Sequence, residues 1–474
     1  MTSSAGATVA APVAVSARPL LTLLAMLALF LAAMDSTAMG TLLPFIKGQL
    51  GDEALYPWLM SGFILASVLA TPLAGWMADI VGEKTAILGA LLLFLLGSLA
   101  IWYAPSMQML LWARVLQGAG AGAITVTTYV IIGRLYSAQE RGKMQGILSL
   151  VWGLAAIAGP LAGALIHQLW GWRTVFLLNV PLCLVIAALI AAAYPRAAQA
   201  PTSPKRIDPL TLLAFAAFLT SALLLIMAGS LRLSEASRNG WSAVLAASLL
   251  IQAWRVYANK ERSLVPVAFL SERRYLAPAL ATVLASITLY ASVTLLPLYL
   301  NGSGHTDSVE GGLLVMAAAL GWVVGSALCG GLTGKIGFRL PGVIGALLLL
   351  GGTGLLMTLT PAAANAMFAL SQGLIGLGIG FIATTALVAV QNQAPLERIG
   401  GYTAAIQLCR NIGAALGINT MASLQIMSLR ELEGGHVANA WSLSFDRSFE
   451  VLFAMTVLAL LCALFMSSRP VRQN

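Results

Sequence analysis

The sequence predicts an all-α polytopic membrane protein, and three observations carry that prediction. Of its 474 residues, 59% are hydrophobic and only 9% are charged, against about 25% charged in an ordinary soluble domain. Apolar runs long enough for a membrane helix recur from Leu20 to near the C-terminal end. One offset of 255 residues aligns two separate motifs in the first half with two in the second. A soluble core cannot hide so much apolar surface, so lipid is the solvent for most of the chain.

A hydrocarbon core of about 30 Å takes about 20 helical residues. On that rule the spans run 20–46, 57–79, 85–104, 107–133, 145–168, 174–194, 209–229, 241–258, 276–300, 309–333, 340–360, 366–391, 401–427 and 448–467. Polar or turn-forming residues separate them in the first half: "GQLGDEALYP", "GEK", "APSM", "YSAQERGKM" and "QLWGWR". The run from Leu20 to Ile46 is too long for the apolar region of a signal peptide, and a second span follows at once. Fourteen spans result. The seventh and eighth flank the polar "SLRLSEASRNGW"; if that pair lies on the membrane surface, the count is twelve.

Lys and Arg set the orientation. With the N-terminus in the cytoplasm, Lys47, Arg173, Arg232, Arg238, Arg430 and Arg447 fall outside, and Arg114 and Arg410 fall within spans. The remaining eighteen of the 26 basic residues fall inside, which puts both termini in the cytoplasm and explains the net charge of +9. The basic residues form no patch interleaved with aromatics, so nucleic acid is not expected as a partner. "PRAAQAPTSPKRIDP" and "ANKERSLVPVAFLSERRY" divide the chain. The expected organisation is a six-helix bundle in 1–200, a linker with two additional helices in 201–265, and a second six-helix bundle in 266–474.

The two sixes repeat. "GWMADIVGEK" (Gly75 to Lys84) follows the second span and "GGLTGKIGFR" (Gly330 to Arg339) follows the tenth. The 255-residue offset maps Gly75, Gly82 and Lys84 on Gly330, Gly337 and Arg339, and Gln117-Gly118 on Gln372-Gly373. Such parallel repeats are a known transporter architecture.

Four motifs carry chemistry. In the loop motif, Gly75 and Gly82 permit a tight turn, and Asp79 can accept from a neighbouring helix N-terminus or pair with a base. In "RVLQGAGAGA", Arg114 is a charge inside an apolar helix, a functional position by default, and the small residues after it permit close helix approach. In "GLAAIAGPLAGALI", Pro160 removes one helix hydrogen bond between Gly159 and Gly163. In "LFLAAMDSTAMGTLLPFI", Asp35 is a lone carboxylate deep within the first span. A charge at such a depth costs about 2.5–3.5 kcal/mol on insertion scales.

In this order the four motifs resemble those of the major facilitator superfamily, and in particular of its fourteen-span drug:proton antiporters. The resemblance covers nearly the whole chain. It implies a fold of two six-helix bundles with two extra linker helices. It implies proton-coupled export of amphiphilic small molecules by alternating access. It assigns proton coupling to Asp35 and Arg114, a gating loop to Gly75, Asp79, Gly82 and Lys84, and the antiporter motif to Gly159, Pro160 and Gly163. Met34, Thr37 and Pro44 also fit the first-span pattern, but Gly40 replaces its asparagine. Ile80 and Glu83 stand where basic residues are usual, so a thinner charge network is expected at the loop. The expected setting is a bacterial-type inner membrane, with a monomer crossing the bilayer and partners limited to small-molecule substrate and protons.

Polar and aromatic residues within spans are candidates to line the substrate cavity: Gln117, Trp152, Trp322, Gln372, Gln407, Arg410 and Asn411, with Asn179 a further polar position. Asp35 is the only acid deep within a span, which points away from divalent cations and towards monovalent or neutral lipophilic cargo. Taken at mid-span, Asp35 lies about 16 Å and Arg114 about 10 Å below the outer ends of their spans, from 1.5 Å of rise per residue. The four cysteines form no CxxC pair, His167, His305 and His436 lie near outer ends or loops, and there is no HExxH, GxSxG or GxxxxGK[ST] motif. No metal, no cofactor other than the proton gradient and no enzymatic activity are therefore expected. Two other readings remain: a facilitator of one defined metabolite, and an intramembrane lipid-handling protein or enzyme.

Overall fold

The computed structural model describes residues 17–51, 55, 58–194, 209–226, 233–258, 265–303, 308–435 and 440–468. The first half holds α1 (Arg18–Leu50), α2 (Trp58–Val81), α3 (Glu83–Tyr103), α4 (Met107–Leu135), α5 (Glu140–Trp170) and α6 (Trp172–Ala193). A pair follows, α7 (Pro209–Ile226) and α8 (Glu235–Ala258), then a short α9 (Val267–Ser271). The second half holds α10 (Arg273–Gly302), α11 (Ser308–Ile336), α12 (Arg339–Thr358), α13 (Asn365–Gln393), α14 (Ile399–Gly434) and α15 (Ala440–Leu464). A 3₁₀ turn, Leu396–Arg398, precedes α14. Every predicted span corresponds to a helix. The linker at 195–208, the segment 259–264, His305 and His436 lie outside the described residues.

Among the described residues, twelve helices are long and apolar enough to cross a membrane; α7 and α8 are not among them. The expected count of fourteen is therefore met by twelve. Helix α7 comprises the described residues 209–226. Helix α8 is longer but opens with Glu235, Arg238 and Asn239 and is mostly exposed in its first half. The two pack on each other: Gln252 Nε2 donates to the Thr211 carbonyl at 3.4 Å, and Arg255 Nε to Thr211 Oγ1 at 3.3 Å.

The chain forms two compact units. One comprises 1–135, 155–206 and 396–400; the other comprises 136–154, 207–395 and 401–474. The first part of α5 thus belongs with the second unit, rather than with the rest of residues 1–200. Small residues bring it there. A methyl group added at Gly142 would stand 2.6 Å from the Gly330 carbonyl oxygen, and one at Gly146 would stand 3.0 Å from Ala327 Cα.

In the first unit, Met39, Leu42, Ile46, Leu59, Ile101, Leu110 and Phe176 form one apolar core. In the second, Leu295, Tyr299, Phe368, Phe445, Phe449 and Leu452 form another. The repeat is visible in burial. The best apolar windows of α4 and α13 are both 78% buried, whereas that of α5 is 22% buried. One helix of each half is therefore enclosed by protein, which explains why α4 carries Arg114 and Gln117 while Leu154, Leu161, Leu165 and Leu169 on α5 are exposed. Exposed leucines are the lipid-facing surface such a chain requires. Gly82 and Gly337, equivalent in the repeat, both have positive φ, +83° and +77°. A side chain would strain that turn in either half.

Candidate functional site

The acid of the first span sits at the centre of a buried polar network in the first unit. Asp35 on α1 is 1% exposed and Arg114 on α4 is fully buried. Arg114 Nη1 donates to Asp35 Oδ2 at 2.8 Å. Three more side chains complete the network. Gln117 is three residues after Arg114, hence on the same face of α4. Its Oε1 accepts from Arg114 Nη1 at 2.5 Å, and its Nε2 donates to Asp35 Oδ1 at 3.0 Å. Asn179 Nδ2 on α6 donates to the same Oδ1 at 2.7 Å. Ser98 on α3 accepts from Gln117 Nε2 at 2.9 Å and donates to the Phe94 carbonyl at 2.9 Å.

The carboxylate therefore receives hydrogen bonds from α4 and α6 while α3 anchors the amide between them. A buried ion pair is tolerated only when such bonds satisfy its remaining lone pairs and protons. The guanidinium is less completely served. Its Nε and Nη2 have no hydrogen-bond partner, and Phe63 lies under it with Cζ 4.1 Å from the ring centroid. That aromatic face partly replaces the missing acceptors.

The Gly-Pro motif of α5 belongs to the same site. A methyl group at Gly159 would collide with Thr37 Oγ1 and stand 2.7 Å from the Met34 carbonyl oxygen, and one at Gly163 would stand 3.3 Å from Ala38 Cβ. Thr37 Oγ1 donates to the Ala155 carbonyl at 2.9 Å. So α5 closes on the turn of α1 that bears Asp35, and at position 159 only glycine allows that approach.

A second network lies at the end of this unit where α2 finishes and α3 begins. Arg134, on the last turn of α4, donates to Asp79 Oδ1 at 2.9 Å and pairs with Glu83. The backbone N–H of Gly400, at the start of α14, donates to Asp79 Oδ1 at 2.8 Å. A methyl group at Gly400 would collide with the Gly75 carbonyl oxygen. Tyr194 Oη donates to Glu83 Oε1 at 2.7 Å, and Lys84 Nζ to the Tyr194 carbonyl at 3.2 Å. Burial first and the Glu83 carboxylate second push the Tyr194 phenol up, which keeps it a donor. The loop is thus not thinly charged: Glu83, standing where a base is usual, recruits Arg134 and Tyr194 instead.

The remaining candidates divide. Gln117 is fully buried beside Asp35 and does not line open space. Trp152, Trp322, Gln372, Gln407, Arg410 and Asn411 all belong to the second unit. Gln372, the repeat equivalent of Gln117, accepts from Ser292 Oγ at 3.3 Å. Its surroundings hold no counterpart of the ion pair, because the offset places Ala369 where Arg114 would be and Tyr290 where Asp35 would be. Arg410 Cζ lies 5.8 Å from the Trp322 ring centroid.

Sequence reasoning had not marked Ser98, Phe63, Arg134, Tyr194 or Gly400 for these roles. Among the described residues no cluster of three His, Cys, Asp or Glu could hold a metal ion.

Relatives agree with this architecture. The chain is 27% identical over 413 residues to the multidrug transporter protein MdtP of Bacillus subtilis, covering 86% of this chain and 75% of that one. It is 27% identical to an uncharacterized MFS-type transporter of Mycobacterium tuberculosis, covering 83% of this chain but only 57% of that relative's length. The crystal structure of the human organic anion transporter MFSD10 (TETRAN) superposes with a TM-score of 0.68 at 15% identity, covering 94% of this chain and 99% of that one; at that identity the likeness concerns the fold alone. The sequence profile of the Major Facilitator Superfamily matches residues 25–418. With that match across most of its length, the chain belongs to the Major Facilitator Superfamily, a family of small-molecule transporters and not of enzymes.

Proposed function

We propose that this transporter exports amphiphilic small molecules in exchange for protons. The observation that carries the reading is the Asp35–Arg114 pair, fully withdrawn from solvent in the middle of α1 and about two turns into α4. An intramembrane carboxylate is expensive to keep and is kept where charge must be moved. Asp35 is the proton carrier. When protonated from outside, it gives up its bond to Arg114 and cargo leaves; when deprotonated inside, it restores the pair and new cargo is accepted. The multidrug name of the Bacillus subtilis relative and the close packing of Gly159 on the Asp35 turn support the antiporter reading. Asp79, held by Arg134 and Gly400, serves as the gating latch with Gly75, Gly82 and Lys84. The chain acts as a monomer in an inner-type membrane with both termini on the basic, cytoplasmic side.

The direct test is efflux of a fluorescent amphiphile from cells. Dissipating the proton gradient with a protonophore is expected to abolish it; efflux that continues unchanged would refute proton coupling.

The fourteen-span arrangement belongs to the same reading, with α7 and α8 crossing the bilayer as an extra pair. Ser237 is exposed at the start of α8. Ser237→Cys in a background without other reactive cysteines is expected to react with an impermeant maleimide from outside. Reaction from the cytoplasm alone would leave twelve spans.

A further inference from the structure

The second unit holds an arginine within a predicted span, Arg410, that forms no ion pair among the described residues. Arg410 lies eleven residues into α14, about 16 Å along the helix. Among the described residues the Trp322 ring lies against its guanidinium, 5.8 Å from Cζ, and its Nε is buried without an acceptor. Arg114 presents the contrast: equally intramembrane, it faces a carboxylate at 2.8 Å. A guanidinium in this position needs an anion from somewhere.

The groups around Trp322 share one chemical character. Gln407, one turn before Arg410, is 5% exposed, and its Nε2 has no acceptor. Gln372 is fully buried; Ser292 occupies its Oε1, and its Nε2 has no acceptor. Trp152 Nε1, on the first part of α5, is likewise unpartnered. Helix contacts bring these positions together. Gly153, next to Trp152, meets the Val323 side chain next to Trp322, and Gly321 meets the Gly373 carbonyl next to Gln372. Trp322 and Tyr290 pack half-buried on the same apolar cluster. Every unpartnered atom in this set is an N–H donor. Ser286, whose Cβ packs on Gly413 one turn after Arg410, has an unpartnered hydroxyl that can donate as well.

No carboxylate of α14 or α15 is placed to answer them. Glu431 is twenty-one residues past Arg410, about 31 Å along the axis, and is paired there with Arg447 at 2.8 Å. Asp446 and Glu450 lie in the opening turns of α15 beside it.

We infer that Arg410 is the anion subsite of the transport cavity, and that the cargo is an organic monoanion whose aromatic body lies against Trp322. This rests on the transport reading above and narrows its substrate class. A lipophilic cation would meet a guanidinium and a set of N–H donors, with no carboxylate of α14 or α15 placed to receive it. An organic anion would satisfy Arg410 with a charge-assisted bond and take the orphaned amide and indole protons as well.

The test uses the full chain in phosphatidylcholine vesicles and three probes. These are 8-anilinonaphthalene-1-sulfonate, N-phenyl-1-naphthylamine, which keeps the rings without the sulfonate, and the lipophilic cation ethidium. Saturable movement of each down its own gradient is measured with and without a pH gradient. The sulfonate is expected to move in preference to ethidium. Arg410→Gln is expected to reduce its movement about tenfold or more, with a much smaller change for the uncharged amine, and Arg410→Lys to restore part of it. Preference for ethidium, equal sulfonate movement in Arg410→Gln and wild type, equal loss in the Gln and Lys variants, or movement of none of the probes would each overturn the inference. The two readings fail separately. Sulfonate movement that depends on Arg410 but ignores the pH gradient removes proton coupling and leaves the anion subsite. Ethidium driven by the pH gradient does the reverse.

Discussion

Asp35→Asn is expected to reduce proton-driven export to background while leaving exchange of cargo across the membrane within a few-fold of wild type. The asparagine keeps the volume of the side chain and an acceptor for Arg114, but it cannot take up or release a proton. Coupling is then lost because the two states of the site, paired and protonated, have collapsed into one. Movement of cargo down its own gradient needs the helices to rearrange but needs no proton, so it persists. The substitution also places an amide N–H₂ among donors, since Gln117 Nε2 and Asn179 Nδ2 both point at the oxygen they now share. Some loss of stability follows, and the exchange assay doubles as the check that the variant is folded. Asp35→Glu, which keeps a titratable group one methylene further out, is expected to retain partial coupling. Uphill, gradient-driven export by Asp35→Asn would return Asp35 to a structural role in helix packing.

That this acid could meet Arg114 was legible from the resemblance, which assigns both residues to proton coupling, together with their depths. The two spans put the residues at compatible levels, and the length of an arginine side chain closes the rest. Gln117 and Asn179 were visible as polar residues in apolar helices, although only the structure shows that both bond to the carboxylate. Ser98 gave no such signal. A serine in a membrane helix can bond its own preceding turn, as Ser98 does with Phe94, so its presence says nothing about distant partners. Arg134 was readable only as a topological charge. Its partners Asp79 and Glu83 are 55 and 51 residues away in sequence and belong to the ends of two other helices. The glycines of α5 were readable as a motif, but their neighbour on α1 was not, because close approach depends on which helix lies opposite. The least legible region was 209–258. Hydropathy predicted two helices there and two helices form, but composition near the threshold does not decide whether a helix crosses a bilayer or lies elsewhere.

Arg114→Met is expected to produce the largest loss of stability of any single substitution in the network. Removing one partner of a buried ion pair leaves an uncompensated charge and costs about 3–5 kcal/mol. Here the abandoned group is a carboxylate that is shielded from water and keeps only the two amide donors, Gln117 and Asn179. Methionine fills the space of the alkyl stem and can lie on Phe63, which held the guanidinium at 4.1 Å, so lost packing contributes little. The charge itself therefore accounts for the cost. That makes a sharper expectation available: adding Asp35→Leu to Arg114→Met removes the stranded carboxylate and recovers most of the lost stability. Unfolding midpoints of wild type, both single variants and the double variant in one detergent measure the coupling directly. The double variant should be more stable than Arg114→Met and unable to couple protons. If the two substitutions instead add, the carboxylate and guanidinium are not acting as a pair, and the proton cycle built on making and breaking that pair has no foundation.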